Sequence, residues 1–264
     1  MLIVGERINT SRKNIRPAVE NRDKDFIQKE ARLQVEAGAG RIDVNCGTRV
    51  KEEPEDLEWL VKTVQEAVDV SLCIDSPNPA ALERGLATHK GKALVNSITL
   101  EKERVEKILP LVKKYKASVV ALTMDDRGMP NDTATRVEIA GKLIHLLEGE
   151  GIKKGDVYFD PLVRPLGTDP EQSLIVLETI KIIRQKYPGV HTFCGLSNIS
   201  FGLPLRSLLN RNFLVMAMLM GLDAVMIDPL DKKMMANLRA SLALLNKDQF
   251  CLEYITAFRE GKLE

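Results

Sequence analysis

The chain has 264 residues, of which 44% are hydrophobic and 5% aromatic, and its formal net charge is +1. This length allows one large domain or two small ones. The balanced charge and the few aromatic residues argue against a nucleic-acid-binding protein. Because Glu6 and Arg7 interrupt the apolar start and no apolar run approaches about 18 residues, we expect neither a signal peptide nor a membrane span.

Eight short, mostly apolar runs alternate with longer segments of helical period, and we predict eight strands. In chain order they cover residues 2–5, 41–45, 72–76, 93–97, 119–123, 157–161, 192–197 and 224–228. Apolar residues at every third or fourth position predict helices between them, as at Leu57, Leu60, Val61 and Val64. Similar stripes occur at 105–112, 137–147 and 174–183, and further helices are predicted at 206–220, 232–245 and 252–259.

Helical crossovers of this length require parallel strands, and eight such units favour closure of the sheet. We therefore predict an α/β fold, a TIM-type (β/α)₈ barrel, with residues 1–264 forming a single domain. A doubly wound open sheet is the alternative.

Nearly every predicted strand ends in a side chain that can form hydrogen bonds. These residues include Glu6, Asn9, Asp43, Asn45, Asp75, Asn96, Asp160, Ser197, Asn198 and Asp228. Any one of them is equally well explained as a helix cap or a turn residue. Because ligands of this fold bind at the carboxyl ends of the strands, the ring as a whole predicts a pocket for a small, polar, donor-rich molecule.

The chemistry open to this ring is limited by the residues that accompany it. His89, His145 and His191 lie away from the strand ends, which argues against a histidine base. Magnesium held by Asp75 and Asp160 is an alternative that lacks a phosphate-binding loop to support it. The sequence favours tight binding and electrostatic positioning of a reactive cofactor.

The cysteines indicate a reducing environment. Cys46, Cys73, Cys194 and Cys251 form no CxxC pair, and few histidines are available to join them, so a zinc site is not expected. Cys73 and Cys194 lie in apolar runs typical of buried thiols. We therefore predict a cytoplasmic protein.

Six segments carry a family resemblance from residue 5 to about residue 230. They are Gly5-Glu6-Arg7-Ile8-Asn9, Asp43-Val44-Asn45-Cys46-Gly47, Cys73-Ile74-Asp75-Ser76, Val95-Asn96-Ser97, Phe159-Asp160-Pro161-Leu162 and Gly195-Leu196-Ser197-Asn198-Ile199-Ser200. The chain resembles methyltetrahydrofolate:corrinoid protein methyltransferases and the folate module of cobalamin-dependent methionine synthase. This resemblance implies transfer of a methyl group between the N5 nitrogen of tetrahydrofolate and the cobalt of a corrinoid.

The resemblance also implies roles for individual residues. Asp75, Asn96 and Asp160 accept hydrogen bonds from the pterin, and Asn198 is the catalytic residue at N5. The remaining folate-binding residues implied are Glu6, Asn9, Asp43, Asn45, Gly195, Ser197 and Arg206. No metal ligand is implied, and 5-methyltetrahydrofolate or tetrahydrofolate is the substrate.

Two motifs found in the larger relatives are absent from this sequence, and their absence determines which partners we expect. The sequence contains neither a DxHxxG cobalamin signature nor the Cys/His zinc set that activates homocysteine. We therefore expect the corrinoid to arrive on a partner protein, and the resemblance implies a homodimer.

Two other functions stay open. A dihydropteroate synthase would carry Asp-Pro-Gly after strand six, where this chain has Asp160-Pro161-Leu162, and a basic pair near strand eight. A non-catalytic folate-binding protein is the other alternative, and the presence of Asn198 argues against it.

Overall fold

The computed structural model describes residues 1–263, which form eight parallel strands surrounded by helices. The strands are β1 (Leu2–Asn9), β2 (Arg41–Asn45), β3 (Ser71–Asp75), β4 (Leu94–Ile98), β5 (Ser118–Leu122), β6 (Val157–Asp160), β7 (His191–Thr192) and β8 (Ala224–Ile227). They pair in the order β7-β6-β5-β4-β3-β2-β1-β8. A parallel bridge between Gly195 and Met226 joins the two ends of the sheet. The predicted barrel is therefore confirmed, and the open sheet is excluded.

Ten α-helices connect and cover the strands in the described part of the chain. They are α1 (Ile15–Glu20), α2 (Lys24–Glu36), α3 (Glu53–Gln65), α4 (Pro79–Thr88), α5 (Lys102–Lys114), α6 (Thr133–Gly149), α7 (Gln172–Lys186), α8 (Arg206–Met220), α9 (Lys232–Leu244) and α10 (Leu252–Arg259). Side-chain caps fix several of their first turns; Asp132, for example, accepts a hydrogen bond from the N–H of Thr135 at 2.8 Å. No helix among residues 1–263 is both long and apolar enough to cross a membrane.

Strand alternation divides the buried residues into two layers. Val4, Cys73, Leu94, Val120 and Phe193 belong to a cluster that fills the inside of the barrel. Alternate strand residues face outward and pack against the helices, where most of the aliphatic core lies. Every second side chain of a strand faces inward, and this alternation continues to the carboxyl end of the strand. The polar side chains at these last inward positions therefore lie in the barrel mouth.

Two strands differ from the prediction by more than one residue at an end. β1 continues to Asn9, with a register shift against β2 between Gly5 and Ile8. The seventh strand was predicted over 192–197, but β7 ends at Thr192, and a 3₁₀ helix at Leu196–Ser200 follows it. Ser197 and Asn198 therefore lie on a tight turn rather than at the end of an extended strand.

Candidate active site

Two cavities open at the mouth of the barrel. The first, of about 610 Å³, is lined by the predicted site residues Glu6, Asn9, Gly195, Ser197, Asn198 and Arg206. The second, of about 480 Å³, is lined by Asp75 and Asn96 together with Arg104. Asp43, Asn45 and Asp160 line neither cavity. The structure thus brings the predicted residues to one end of the barrel, divided between two cavities and the wall around them.

Asp75 lies between two amide side chains because of strand register. Asn45 on β2 pairs with Asp75 on β3, which pairs with Asn96 on β4. Burial raises the pKa of Asp75 to about 6, although a hydrogen bond from Asn45 acts in the opposite direction. Two amides and one carboxyl thus form a row of hydrogen-bonding groups across three strands.

Asp43 lies deeper, inside the barrel and opposite Cys73 in the strand register. Both of its carboxyl oxygens are buried, and no nitrogen or oxygen donor among the described residues bonds to either of them. Burial, followed by the charges of Asp75 and Glu6, raises the pKa of Asp43 well above its usual range, although the Cys73 thiol acts in the opposite direction. A buried carboxyl in this setting favours its protonated form more than an exposed aspartate does.

Asp160 ends β6 and is held by the backbone around it. The backbone N–H of Leu162 donates to Asp160 Oδ1 at 2.7 Å, and the Asp160 carbonyl accepts from the N–H of Thr123 at 3.1 Å. Burial raises the pKa of Asp160 to about 6, opposed by the N–H groups of Leu162 and Gly195 and by the charge of Arg136. One carboxyl oxygen is thus fixed in place by the chain itself.

Glu6 borders the first cavity within a group of charged side chains. Burial raises the pKa of Glu6 to about 7, with Arg12 lowering it and Asp228 raising it. Asp228 accepts hydrogen bonds from Arg7 at 2.8 Å and from Arg12 at 3.3 Å. Sequence reasoning did not select Arg12, because it lies in the loop after β1 and only the fold brings it to Asp228.

Asn198 is exposed on the wall of the first cavity, in the 3₁₀ turn after β7. Its side-chain amide makes no hydrogen bond to the part of the chain that the structure describes, so it is free to bind a ligand. A Cβ atom at Gly195 would lie only 3.4 Å from Asn198 Nδ2. Arg206 holds this turn by donating to the carbonyl of Ser197 at 2.7 Å.

Together these groups form a mouth with spare hydrogen-bond acceptors. Its four carboxyl groups with raised pKa belong to Glu6, Asp43, Asp75 and Asp160. Residues 1–263 contain no group of three or more His, Cys, Asp or Glu side chains placed to hold a metal ion. The arrangement can bind a small molecule that presents several N–H donors and can hold a proton close to it.

A family model described as pterin binding enzyme matches residues 5–228 of the chain. The chain belongs to the pterin-binding enzyme family. Two curated relatives are similar to this family member over most of its length. Methylcorrinoid:tetrahydrofolate methyltransferase from Eubacterium limosum is 38% identical over 265 residues, which cover 100% of this chain and 98% of the relative. Methionine synthase from Mycobacterium tuberculosis is 30% identical over 240 residues, which cover 86% of this chain and 20% of that protein.

Solved structures of other proteins share the fold of this pterin-binding enzyme. Dihydropteroate synthase from Xanthomonas albilineans in complex with 7,8-dihydropteroate matches with a TM-score of 0.70 and 18% identity, covering 94% of this chain and 93% of that one. The Yersinia pestis dihydropteroate synthase matches with a TM-score of 0.71 and 17% identity, covering 92% and 94% respectively. At this level of identity the likeness concerns the barrel alone.

Proposed function

We propose that this pterin-binding enzyme transfers a methyl group between the N5 nitrogen of tetrahydrofolate and the cobalt of a corrinoid held by a partner protein. The observation that carries the proposal is the 38% identity, over the full length of both chains, to a methylcorrinoid:tetrahydrofolate methyltransferase. The pterin-binding domain is proposed to extend over residues 1–264. Its free cysteines, three of them buried, suit a reducing cytoplasm, where it would act in one-carbon metabolism.

The chemistry of the mouth fits a reduced pterin. One edge of the pterin presents a ring N–H and an amino group, and Asp75, Asn96 and Asp160 provide oxygen acceptors for such donors. Asp160 Oδ1 is held by the N–H of Leu162, which leaves further acceptor capacity on the carboxyl for the ligand. Gly195 and Ser197 would form the floor, and Glu6, Asn9 and Arg206 border the same cavity.

Asp43 and Asn45 would contribute from below. Neither buried oxygen of Asp43 has a nitrogen or oxygen partner among the described residues, which marks a place where an ordered water or a ligand group completes the hydrogen bonding. Asn45 is the register partner of Asp75, and its own Oδ1 accepts the N–H of Gly47 at 2.9 Å. These two residues would act mainly by setting the protonation state of Asp75, whose carboxyl group contacts the pterin.

Asn198 is proposed as the catalytic residue at N5. A neutral amine is a poor leaving group, so N5, which keeps the electron pair of the broken bond to the methyl group, must take up a proton from water ordered by the carboxyl groups of the mouth. The free amide of Asn198 supplies a hydrogen bond from the cavity wall and stabilises N5 as its charge develops. The corrinoid, when bound above the mouth on its partner protein, supplies a cobalt centre that exchanges the methyl group.

The same chain is proposed to form a homodimer through α8. Leu208, Val215, Met216 and Leu219 form an exposed apolar stripe at helical spacing along this helix, and the exposed Leu205 directly precedes it. An apolar stripe of this kind on an outer helix is typical of a protein interface. Light scattering at micromolar concentration should give the mass of a dimer, and Leu219→Asp should give a monomer. The matched variant Leu244→Asp changes an exposed leucine on α9 and should stay dimeric.

Methyl transfer itself tests the function. The protein is mixed with 5-methyltetrahydrofolate and chemically reduced cobalamin, and methylcobalamin is followed by its absorbance. We expect catalysed formation of methylcobalamin, with no condensation of a pterin pyrophosphate with p-aminobenzoate. Folate retention without methylcobalamin would identify a binding protein, and condensation activity would identify a dihydropteroate synthase; either result would refute the proposal.

A further inference from the structure

A fully buried arginine lies behind the mouth and touches neither cavity. Arg136 on α6 is 0% exposed and is the largest of the fully buried side chains. Its Nη1 donates to the carbonyls of Pro161 at 2.7 Å and Leu162 at 3.2 Å. Its other nitrogens donate to the carbonyl of Pro130 and to Gln172 Oε1. One side chain thus joins the loop before α6, the turn after β6 and the first residue of α7.

The turn that accepts hydrogen bonds from Arg136 also donates a hydrogen bond to Asp160. Leu162 donates its N–H to Asp160 Oδ1, and its own carbonyl accepts from Arg136. Leu162 has a φ of 61°, in the left-handed region that non-glycine residues rarely adopt. Two hydrogen bonds, one from each side of this residue, therefore hold a conformation that its backbone alone disfavours.

The electrostatic setting of Arg136 is unusual for a structural arginine. Its acceptors are neutral oxygens, and no described carboxylate lies within ion-pair distance of it. Burial lowers the pKa of Arg136 to about 10; Arg164 acts in the same direction, and the more distant Asp160, Asp132 and Asp169 act against it. An unpaired buried guanidinium costs stability, so its presence calls for a function that a neutral side chain would not serve.

We propose that Arg136 is a positioning residue, which fixes the turn formed by Pro161 and Leu162 and thereby aims the Asp160 carboxyl at the pterin. This proposal rests on the function proposed above, in which Asp160 accepts hydrogen bonds from the substrate. Arg136 acts through geometry and through charge, since its positive charge lowers the pKa of Asp160. The two contributions are separable by substitution.

The test measures 5-methyltetrahydrofolate binding by calorimetry between pH 5 and 8 for Arg136→Met and Arg136→Lys. Arg136→Met removes the donors and the charge, so we expect at least about tenfold weaker binding. Because the pKa of Asp160 rises when the positive charge is lost, the pH at which affinity begins to fall should move upward. Arg136→Lys keeps the charge but has fewer directed donors, so its affinity should fall while its pH dependence stays close to that of the wild type.

Two further variants separate positioning from loss of stability. Asp23→Ala removes the N-cap of α2, which contacts neither Arg136 nor the turn after β6, so it should lower the melting temperature and leave affinity unchanged. In an Asp160→Asn background, Arg136→Met should no longer shift the pH dependence. Wild-type affinity and pH dependence in folded Arg136→Met would overturn the proposal. If that variant does not fold, unchanged affinity in Arg136→Lys overturns it instead, whereas a wild-type protein that binds no folate refutes the proposed function.

Discussion

The carboxyl groups at the two ends of the barrel have pKa values shifted in opposite directions. At the amino end, Asp223 precedes β8 and accepts hydrogen bonds from His191 Nδ1 at 2.9 Å and from the N–H of Thr192 at 2.8 Å. Burial alone would raise the pKa of Asp223, but these hydrogen bonds and the charge of Arg184 hold it below its usual range. At the mouth, burial raises the pKa of Glu6, Asp43, Asp75 and Asp160.

This difference separates a group that supports the fold from groups reserved for a ligand. A carboxylate whose hydrogen-bond partners are all within the chain stabilises the folded state and has no acceptor left for a ligand. A buried carboxyl without enough partners costs stability until a ligand supplies the missing donors. The two ends of the barrel thus differ in whether their polar groups have hydrogen-bond partners within the chain, rather than in polarity alone.

The largest expected effect comes from the one predicted catalytic side chain at the mouth. Asn198→Ala should lower the rate constant of methyl transfer by about 10²–10³-fold, because it removes a hydrogen bond that strengthens as charge develops on N5. Folate affinity should fall much less, since that hydrogen bond is made mainly in the transition state. Single-turnover kinetics at saturating folate measures the step. An unchanged rate with reduced affinity would make Asn198 a binding residue only.

Next in size is the contrast between Asp75→Asn at the mouth and Asp223→Asn at the amino end. Asp75→Asn should weaken folate binding about 10- to 100-fold, since a charged acceptor is lost, with little loss of stability. Asp223→Asn should leave affinity unchanged and lower the free energy of unfolding by about 1–3 kcal/mol. Titration calorimetry and urea unfolding measure the two quantities. Equal effects of both variants on affinity would abolish the distinction between the two ends.

The raised pKa values at the mouth also predict how binding depends on pH. Asp75 and Asp160, each with a pKa of about 6, must be ionised to accept hydrogen bonds from pterin donors. Affinity should therefore be constant above pH about 7 and fall below pH about 6, by up to about tenfold per pH unit for each group. Calorimetry across this range with Asp75→Asn as control should show a shallower fall, and pH-independent affinity down to pH 5 would contradict the assignment.

The smallest effect concerns stability, and its sign should differ between the two ends. Because the pKa of Glu6 is about 7 in the folded protein against an ordinary 4.5, the folded state binds more protons than the unfolded state between these values. Stability is therefore lost as the pH rises through this window, and Glu6→Gln should be more stable than the wild type at pH 8 by about 1–2 kcal/mol. Asp223→Asn should be less stable at the same pH. Melting temperatures at pH 5 and pH 8 decide between these signs.

Much of the fold was predictable because it depends on local periodicity. Short apolar runs separated by helical stripes indicated the strands and their parallel order. The pattern did not locate α2, because the buried face of that helix carries Glu30 and Gln34. The predicted end of the seventh strand was wrong, because residues 195–198 form a tight turn within an apolar run that is typical of a strand.

The site was predictable to the extent that strand ends determine it. Asp75, Asn96 and Asp160 follow directly from strand alternation and the carboxyl ends of the strands. The contact of Arg12 with Asp228 spans 216 positions of the sequence and depends on barrel closure. Arg136 was not predicted either, because it lies on a helix and reaches Asp160 only through the turn at Leu162.

The few backbone hydrogen bonds that close the barrel between β7 and β8 have a consequence for hydrogen exchange. β7 has two residues, and the backbone ladder at this seam is one bridge beyond its end, where the N–H of Met226 donates to the carbonyl of Cys194 at 3.0 Å. The carboxyl group of Asp223 adds hydrogen bonds to His191 and Thr192. A seam with so few ladder bonds is the segment of the barrel whose local opening costs least. The amide of Met226 should therefore exchange with solvent faster than those of β3 and β4. Asn198 and Met226, on the two sides of this seam, both line the first cavity. A ligand bound there should therefore slow that exchange and lengthen the lifetime of the closed barrel.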